Sequence, residues 1–203
     1  MKHIILSMFL IMNLGSVCMA IDEPAYKVIK SDGAIEIREY QSYIVAETFI
    51  AAAEMDDAAN AGFKKLFKYI SGNNTSNSGI TMTAPVTTTR SEKIEMTAPV
   101  TTMRSSDGYT IAFVMPLQFT LATTPQPNDT TIRIREIASR IVAVIRFSGR
   151  WTESSMTEHE QELIQWMKNN GYSAAGIPVI ARYDPPFMPW FMRRNEIQIE
   201  TGK

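Results

Sequence analysis

The chain has 203 residues, 45% of them hydrophobic, and its 20 Lys and Arg against 21 Asp and Glu leave a formal net charge of −1. That length can bury a sizeable core and accommodates one domain or two small ones. A near-neutral chain without a basic stripe argues against sequence-independent polyanion binding, and a single Cys, at position 18, excludes a fold built on disulfides.

The first predicted element is a targeting segment. Lys2 and His3 are basic, residues 4–14 are apolar except for Ser7 and Asn13, and Cys18-Met19-Ala20 leads into the polar Asp22-Glu23-Pro24. This is the pattern of a signal peptide cleaved after Ala20. The apolar run falls well short of the ~20 residues of a spanning helix, so a retained anchor is the weaker alternative. Acylation at Cys18 is disfavoured by Gly15-Ser16-Val17, which lacks the Leu a lipobox places three residues before its Cys. Residues 21–203 are then expected to form one domain, periplasmic or secreted.

The remainder repeats itself. Ile35-Glu36-Ile37-Arg38-Glu39 returns as Ile132-Arg133-Ile134-Arg135-Glu136 at an offset of 97, and Ser42-Tyr43-Ile44-Val45-Ala46 meets Ser139-Arg140-Ile141-Val142-Ala143 at the same offset. Both pairs have strand patterning. A helix follows in each half. In the first, Phe63, Leu66, Phe67 and Ile70 fall on one apolar stripe, ended by Ser71-Gly72-Asn73-Asn74. In the second, Ser154 or Ser155 caps the start, Met156, Leu163 and Met167 share a face, and Asn169-Asn170-Gly171 ends it.

Between the helices a phrase is stated twice: Met82-Thr83-Ala84-Pro85-Val86-Thr87-Thr88 and Met96-Thr97-Ala98-Pro99-Val100-Thr101-Thr102. Apolar and Thr-rich positions alternate in both copies, so both are expected as strands, with Pro85 and Pro99 at an edge, a bulge or a ladder end. Further returning strands are expected at 109–115, 179–183 and 196–200. Residues 123–129, rich in Thr and Pro, connect the halves. The fold expected is α+β: a distorted β-barrel of two pseudo-symmetric β-β-α-β-β halves with two helices.

Residue types that carry chemistry are sparse. Beyond residue 20 the only histidine is His159, on the second helix beside its apolar stripe. It reads first as a helix histidine bonded to a neighbour and second as a metal ligand or general base; without Cys or a second His it makes no zinc site. Glu158 and Glu160 point to different faces, and no Gly-x-Ser-x-Gly is present. An enzyme is not expected, although Glu47 and Tyr109 are the residues to change if one were sought. Beyond residue 20 there are also nine methionines, suited to core filling or to an adaptable pocket. The loop at 183–196 holds Phe187, Trp190 and Phe191 among Pro185, Pro186 and Pro189, a composition that lids a sheet or edges a pocket.

Lys93-Ile94-Glu95-Met96-Thr97-Ala98-Pro99-Val100, Phe113-Val114-Met115-Pro116, Phe147-Ser148-Gly149-Arg150-Trp151, and Tyr183-Asp184-Pro185-Pro186 through Arg193-Arg194-Asn195-Glu196 together resemble the SOUL heme-binding protein family. The resemblance runs from about Tyr26 to Glu200. It implies a distorted barrel of two pseudo-symmetric halves and non-catalytic binding of heme or a related tetrapyrrole in an apolar groove. Animal members carry a basic residue where Met188 stands here, and His159 matches a histidine of those members. On this reading Phe63 and Phe67 pack the ring, while Lys64, Lys65 and Lys68, with Arg193 or Arg194, are the cations for its carboxylates and Met188 lies at the groove. His159 is the one candidate for the iron, and a weak one. The alternative is a protein-interaction or regulatory module of the same fold that binds no heme, using the Thr-rich strands or the aromatic loop as its contact edge.

Overall fold

A computed structural model describes residues 22–76 and 91–202. In chain order the elements are β1 (Tyr26–Asp32), β2 (Ile35–Tyr40), β3 (Tyr43–Ile50), α1 (Met55–Ile70), β4 (Asn74–Thr75), β5 (Val100–Ser105), β6 (Gly108–Val114) and β7 (Gln126–Pro127). The second half continues with β8 (Ile132–Ile137), β9 (Arg140–Phe147), α2 (Glu153–Asn169), β10 (Ser173–Ala174), β11 (Val179–Arg182), a 3-10 turn (Trp190–Met192) and β12 (Asn195–Gly202).

The strands form one antiparallel sheet in the order β1-β2-β9-β12-β11-β5-β6-β3-β8, with β10 added to β12, while β4 and β7 make a separate small ribbon. The two halves are intertwined: β2 pairs with β9 and β3 with β8, so the first strand of each half hydrogen-bonds to the second strand of the other. The pseudo-twofold axis falls between β5 and β11, which pair directly. Curling follows from the connections. On a flat sheet β2 and β3 would stand about 29 Å apart, yet the two-residue link 41–42 reaches at most about 11 Å. The link 138–139 places the same demand on β8 and β9. The sheet therefore bends into a half-barrel, with β1 and β8 as its outer edges, and the α+β fold of two halves and two helices is as expected.

Alternation along the strands assigns the faces. Ile44, Ala46, Ile111 and Phe113 pack with Leu66, Tyr69 and Ile70 of α1, and Ile37, Ala143, Ile145, Ile197 and Ile199 pack with Met156, Leu163 and Met167 of α2. On the opposite face Val142 and Val144 cluster with Tyr40, and Val45, Ala112 and Ile137 form another group; Tyr43 packs against both.

Three local expectations need correction or restriction. The second copy of the doubled phrase is not a strand throughout: 91–99 is irregular and the ladder begins at Val100. Pro99 has no N–H for a ladder, and before it the backbone is held by isolated bonds, Ile94 N–H to the Ile70 carbonyl at 2.8 Å and Ala98 N–H to the Asp22 carbonyl at 3.0 Å. The first copy, 82–88, and the signal segment, 1–20, lie outside the described residues. The cap of α2 is Thr152 rather than Ser154 or Ser155; its hydroxyl accepts from Ser155 N–H at 3.3 Å. Among the described residues no helix is long and apolar enough to cross a membrane.

Candidate functional site

The buried face of α1 is Ala58, Ala59, Gly62, Leu66, Tyr69 and Ile70. Gly62 sets how near the helix lies to the sheet: a Cβ there would stand 2.4 Å from the Ile111 side chain. This arrangement rotates the expected apolar stripe. Leu66 and Ile70 enter the core, but Phe67 is 49% exposed and Phe63 only partly buried. The two rings are nearly parallel, 10° between planes with centroids 5.9 Å apart, and Phe63 also meets the Phe113 ring edge-on at 5.3 Å. Lys64 and Lys68 are exposed on the adjoining row of the same helix, again four residues apart. Lys65, by contrast, is turned aside, its Nζ donating to Thr131 Oγ1 at 3.1 Å. The result is an aromatic ledge flanked by two ammonium groups. Such a ledge can stack a flat ring and attract carboxylates at its margin; it offers no nucleophile or acid-base pair.

His159 belongs elsewhere. Its Nδ1 lies 2.7 Å from the Ser155 carbonyl oxygen, the geometry of a ring N–H donating one turn back, and its ring stacks on Phe147 at 3.9 Å and 15°. Among the described residues no group of three or more His, Cys, Asp or Glu is disposed to hold a metal ion.

The C-terminal loop residues are drawn into separate work. Arg193 donates to the carbonyls of Met188 and Pro186 at 2.9 and 2.6 Å and lies 4.4 Å over the Trp151 ring. Arg194 donates through Nε and Nη2 to Glu196 at 3.1 and 2.9 Å and through Nη1 to Glu23 at 2.8 Å. The structure thus brings Phe63, Lys64, Phe67 and Lys68 together on α1. It holds Met188, Arg193 and Arg194 in a second group, whose partners among the described residues are not on α1. Glu47 and Tyr109 are also apart: Glu47 takes two bonds from Arg135, whereas Tyr109 is buried against the α1 core.

One assembly was not legible in the sequence. Glu196, fully buried on the sheet face away from the helices, accepts from Arg38 at 2.9 and 3.1 Å, from Tyr183 at 2.8 Å, from Gln198 at 3.0 Å and from Arg194. Burial alone would raise its carboxyl, but the hydrogen bonds and charge of Arg38, and then the charge of Arg194, hold it below the usual range. Burial likewise pushes the Tyr40 hydroxyl up to about 12, against the neighbouring Arg38. The carboxylate saturates its acceptor positions, so this is a structural clamp and not a reactive site. It joins β2 and β12 to Tyr183, the residue that follows β11, and ties the N-terminal segment to the loop through Glu23. The only sequence signal was the adjacency of Arg194 and Glu196, alternate residues that share a strand face.

Comparison with known proteins agrees with this architecture. The family described as SOUL heme-binding protein matches residues 21–200. Heme-binding protein 1 of Xenopus laevis is 28% identical over 169 residues, covering 83% of this chain and 84% of that protein. Heme-binding protein 2 of Mus musculus is 26% identical over 199 residues, covering 92% and 93%. Among solved structures the EcmrR C-terminal domain superposes with a TM-score of 0.57 at 14% identity, covering 88% of this chain and 98% of that one. A hydrolase from Listeria innocua superposes at 0.53 with 10% identity, covering 86% and 94%. At those identities the last two establish the fold alone.

Proposed function

The chain belongs to the SOUL heme-binding protein family, and from that membership we propose that it is an exported, non-catalytic binder of heme or a related tetrapyrrole whose ring lies on the α1 ledge. The observation that carries the reading is the near-parallel Phe63 and Phe67 pair at the border of the packed face of α1, Phe63 partly buried and Phe67 half exposed, with Lys64 and Lys68 beside it. A porphyrin is flat and apolar across its face and carries carboxylates at one margin. The aromatic row suits the first property and the lysines the second. The residues present fit the macrocycle and its propionates, and none of them is assigned to the iron, since the His159 ring stacks on Phe147 and its Nδ1 is spent on a backbone carbonyl. Heme-binding proteins 1 and 2, whose lengths the chain largely spans, support the ligand class. Export is supported by the basic and apolar pattern of residues 2–20; purified mature protein beginning at Ile21 would establish it.

Titrating the apo protein with hemin tests the reading. A saturable Soret shift is expected at micromolar protein. The Lys64→Ala/Lys68→Ala pair should weaken it by a few fold, since exposed ion pairs contribute up to about 1 kcal/mol each. His159→Ala should leave the spectrum unchanged while removing about 1 kcal/mol of stability with its hydrogen bond. No saturable shift in the parent protein would overturn the function. Loss of a low-spin spectrum in folded His159→Ala would instead identify the iron ligand.

A further inference from the structure

The loop joining β11 to β12 turns its apolar side chains outward. Phe187 is 85% exposed, Met192 62%, Phe191 60% and Trp190 50%. Apolar groups so exposed normally collapse onto a core or are covered. Here the backbone prevents collapse. Met188 N–H donates to the Pro185 carbonyl at 3.0 Å, Met192 N–H to Pro189 at 2.9 Å, and Gly149 N–H to the Trp190 carbonyl at 3.0 Å. Arg193 adds its bonds to Met188 and Pro186, and Pro185, Pro186 and Pro189 stiffen the segment further. The side chains are presented by an already ordered loop, so little conformational entropy remains to be lost on binding.

Three arginines without an ion pair surround this tip, while the carboxylate at the base of the loop, Asp184, accepts from the Arg194 N–H. Arg146 and Arg193 line a shallow recess of about 390 Å³ together with Phe191 and Met192. The Arg150 guanidinium lies 6.0 Å from the centre of the Trp190 ring. The ion pairs among the described residues leave Arg146, Arg150 and Arg193 without a carboxylate. Arg193 is bonded to neutral carbonyls, so its charge is not cancelled. This concentration of positive charge occurs in a chain whose overall charge is −1.

We propose that the 185–193 loop docks the protein reversibly on an anionic lipid bilayer, with Phe187, Trp190, Phe191 and Met192 entering the headgroup boundary and Arg146 and Arg150 facing lipid phosphates. Two arguments favour a bilayer over a protein partner. The tip is a few side chains wide, whereas a stable protein interface engages about 20–30 residues a side. A mixture of Trp, Phe and Arg at one point is also the composition that partitions to a membrane interface, where apolar insertion and attraction to anionic headgroups add. The proposal is independent of tetrapyrrole binding, because the loop is anchored on Gly149 and Trp151 and the ledge is on α1.

Co-sedimentation of the full-length mature protein with vesicles tests it. Binding is expected to vesicles of mixed phosphatidylglycerol and phosphatidylcholine, to weaken as salt is raised, and to be much lower on pure phosphatidylcholine. Arg146→Gln/Arg150→Gln should reduce affinity for the anionic vesicles about fivefold per arginine. Phe187→Ser/Phe191→Ser should reduce it on both compositions, with an unchanged thermal midpoint showing that the fold is intact, because these side chains are solvent-facing. A blue shift of tryptophan emission on vesicles, lost in Trp190→Phe, places the loop at the interface. The proposal is overturned if anionic vesicles do not bind the parent protein, as a protein-docking role would predict, or if binding survives both double variants.

Discussion

Glu196 shows how a single residue can carry the meaning of a motif. The run Arg193-Arg194-Asn195-Glu196 reads in sequence as a source of cations for a ligand, but Arg194 is spent on Glu196 and Glu23, and only Arg193 keeps its charge uncompensated. Arg194 and Arg38 surround one buried carboxylate, and Asn195 Oδ1 accepts from Trp151 Nε1 at 2.7 Å. Glu196→Gln would remove the carboxylate the two guanidiniums share, leaving Arg38 with Glu36 and Arg194 with Glu23, at an expected cost of about 1–3 kcal/mol. The pH dependence has a definite sign. A carboxyl held below its ordinary value of 4.5 contributes stability that is complete above that value. The contribution is lost as pH falls through the depressed folded value. Urea unfolding across the acid range should therefore show a shallower acid limb for Glu196→Gln than for the parent, and equal limbs would exclude the clamp as the source of acid sensitivity.

At the scale of the element, α1 separates packing from presentation by one residue. Leu66 is fully buried and Phe67 is half exposed, although a helical apolar stripe places both on the same side. The discrepancy arises because the sheet makes contact along Gly62, where the helix approaches Ile111, and the line of contact continues through Leu66 and Tyr69. Leu66→Ala should cost about 2–5 kcal/mol of stability. Phe67→Ala should cost under about 1 kcal/mol and weaken hemin binding about tenfold, the value of one lost aromatic contact. Chemical denaturation and Soret titration on the same two variants separate the effects. If Phe67→Ala proved as destabilising as Leu66→Ala, the ring would be core and the ledge would not exist.

For the whole molecule, the exchange of first strands makes the halves mutually dependent. β2 has β9 and β3 has β8 as partners, so a chain ending in the 115–131 connection leaves both strands short of ladder bonds and exposes the β5 edge that β11 covers. Residues 22–122 alone are expected to lack cooperative thermal unfolding, and co-expression with 123–203 to restore it. A cooperative transition in the isolated first half would show that the strand exchange is dispensable.

The repeat at offset 97, the two helices and most strand positions were legible in the sequence, because periodicity and turn chemistry are local properties of a chain. The family resemblance was legible for the same reason, as ordered runs of residues. Which strand of one half pairs with which strand of the other was not, since alternation marks a buried face without naming its neighbour. The division of the α1 stripe into a core row and an open row was likewise invisible, because it depends on the contact with Ile111, far away in sequence. The second phrase copy failed as a full strand because ladder formation requires a partner backbone, and Pro99 delays that pairing until Val100. The charges of Arg38, Arg194 and Glu196 could be counted from sequence, but whether they faced a ligand or one another was decided only when β2 and β12 were both laid against β9.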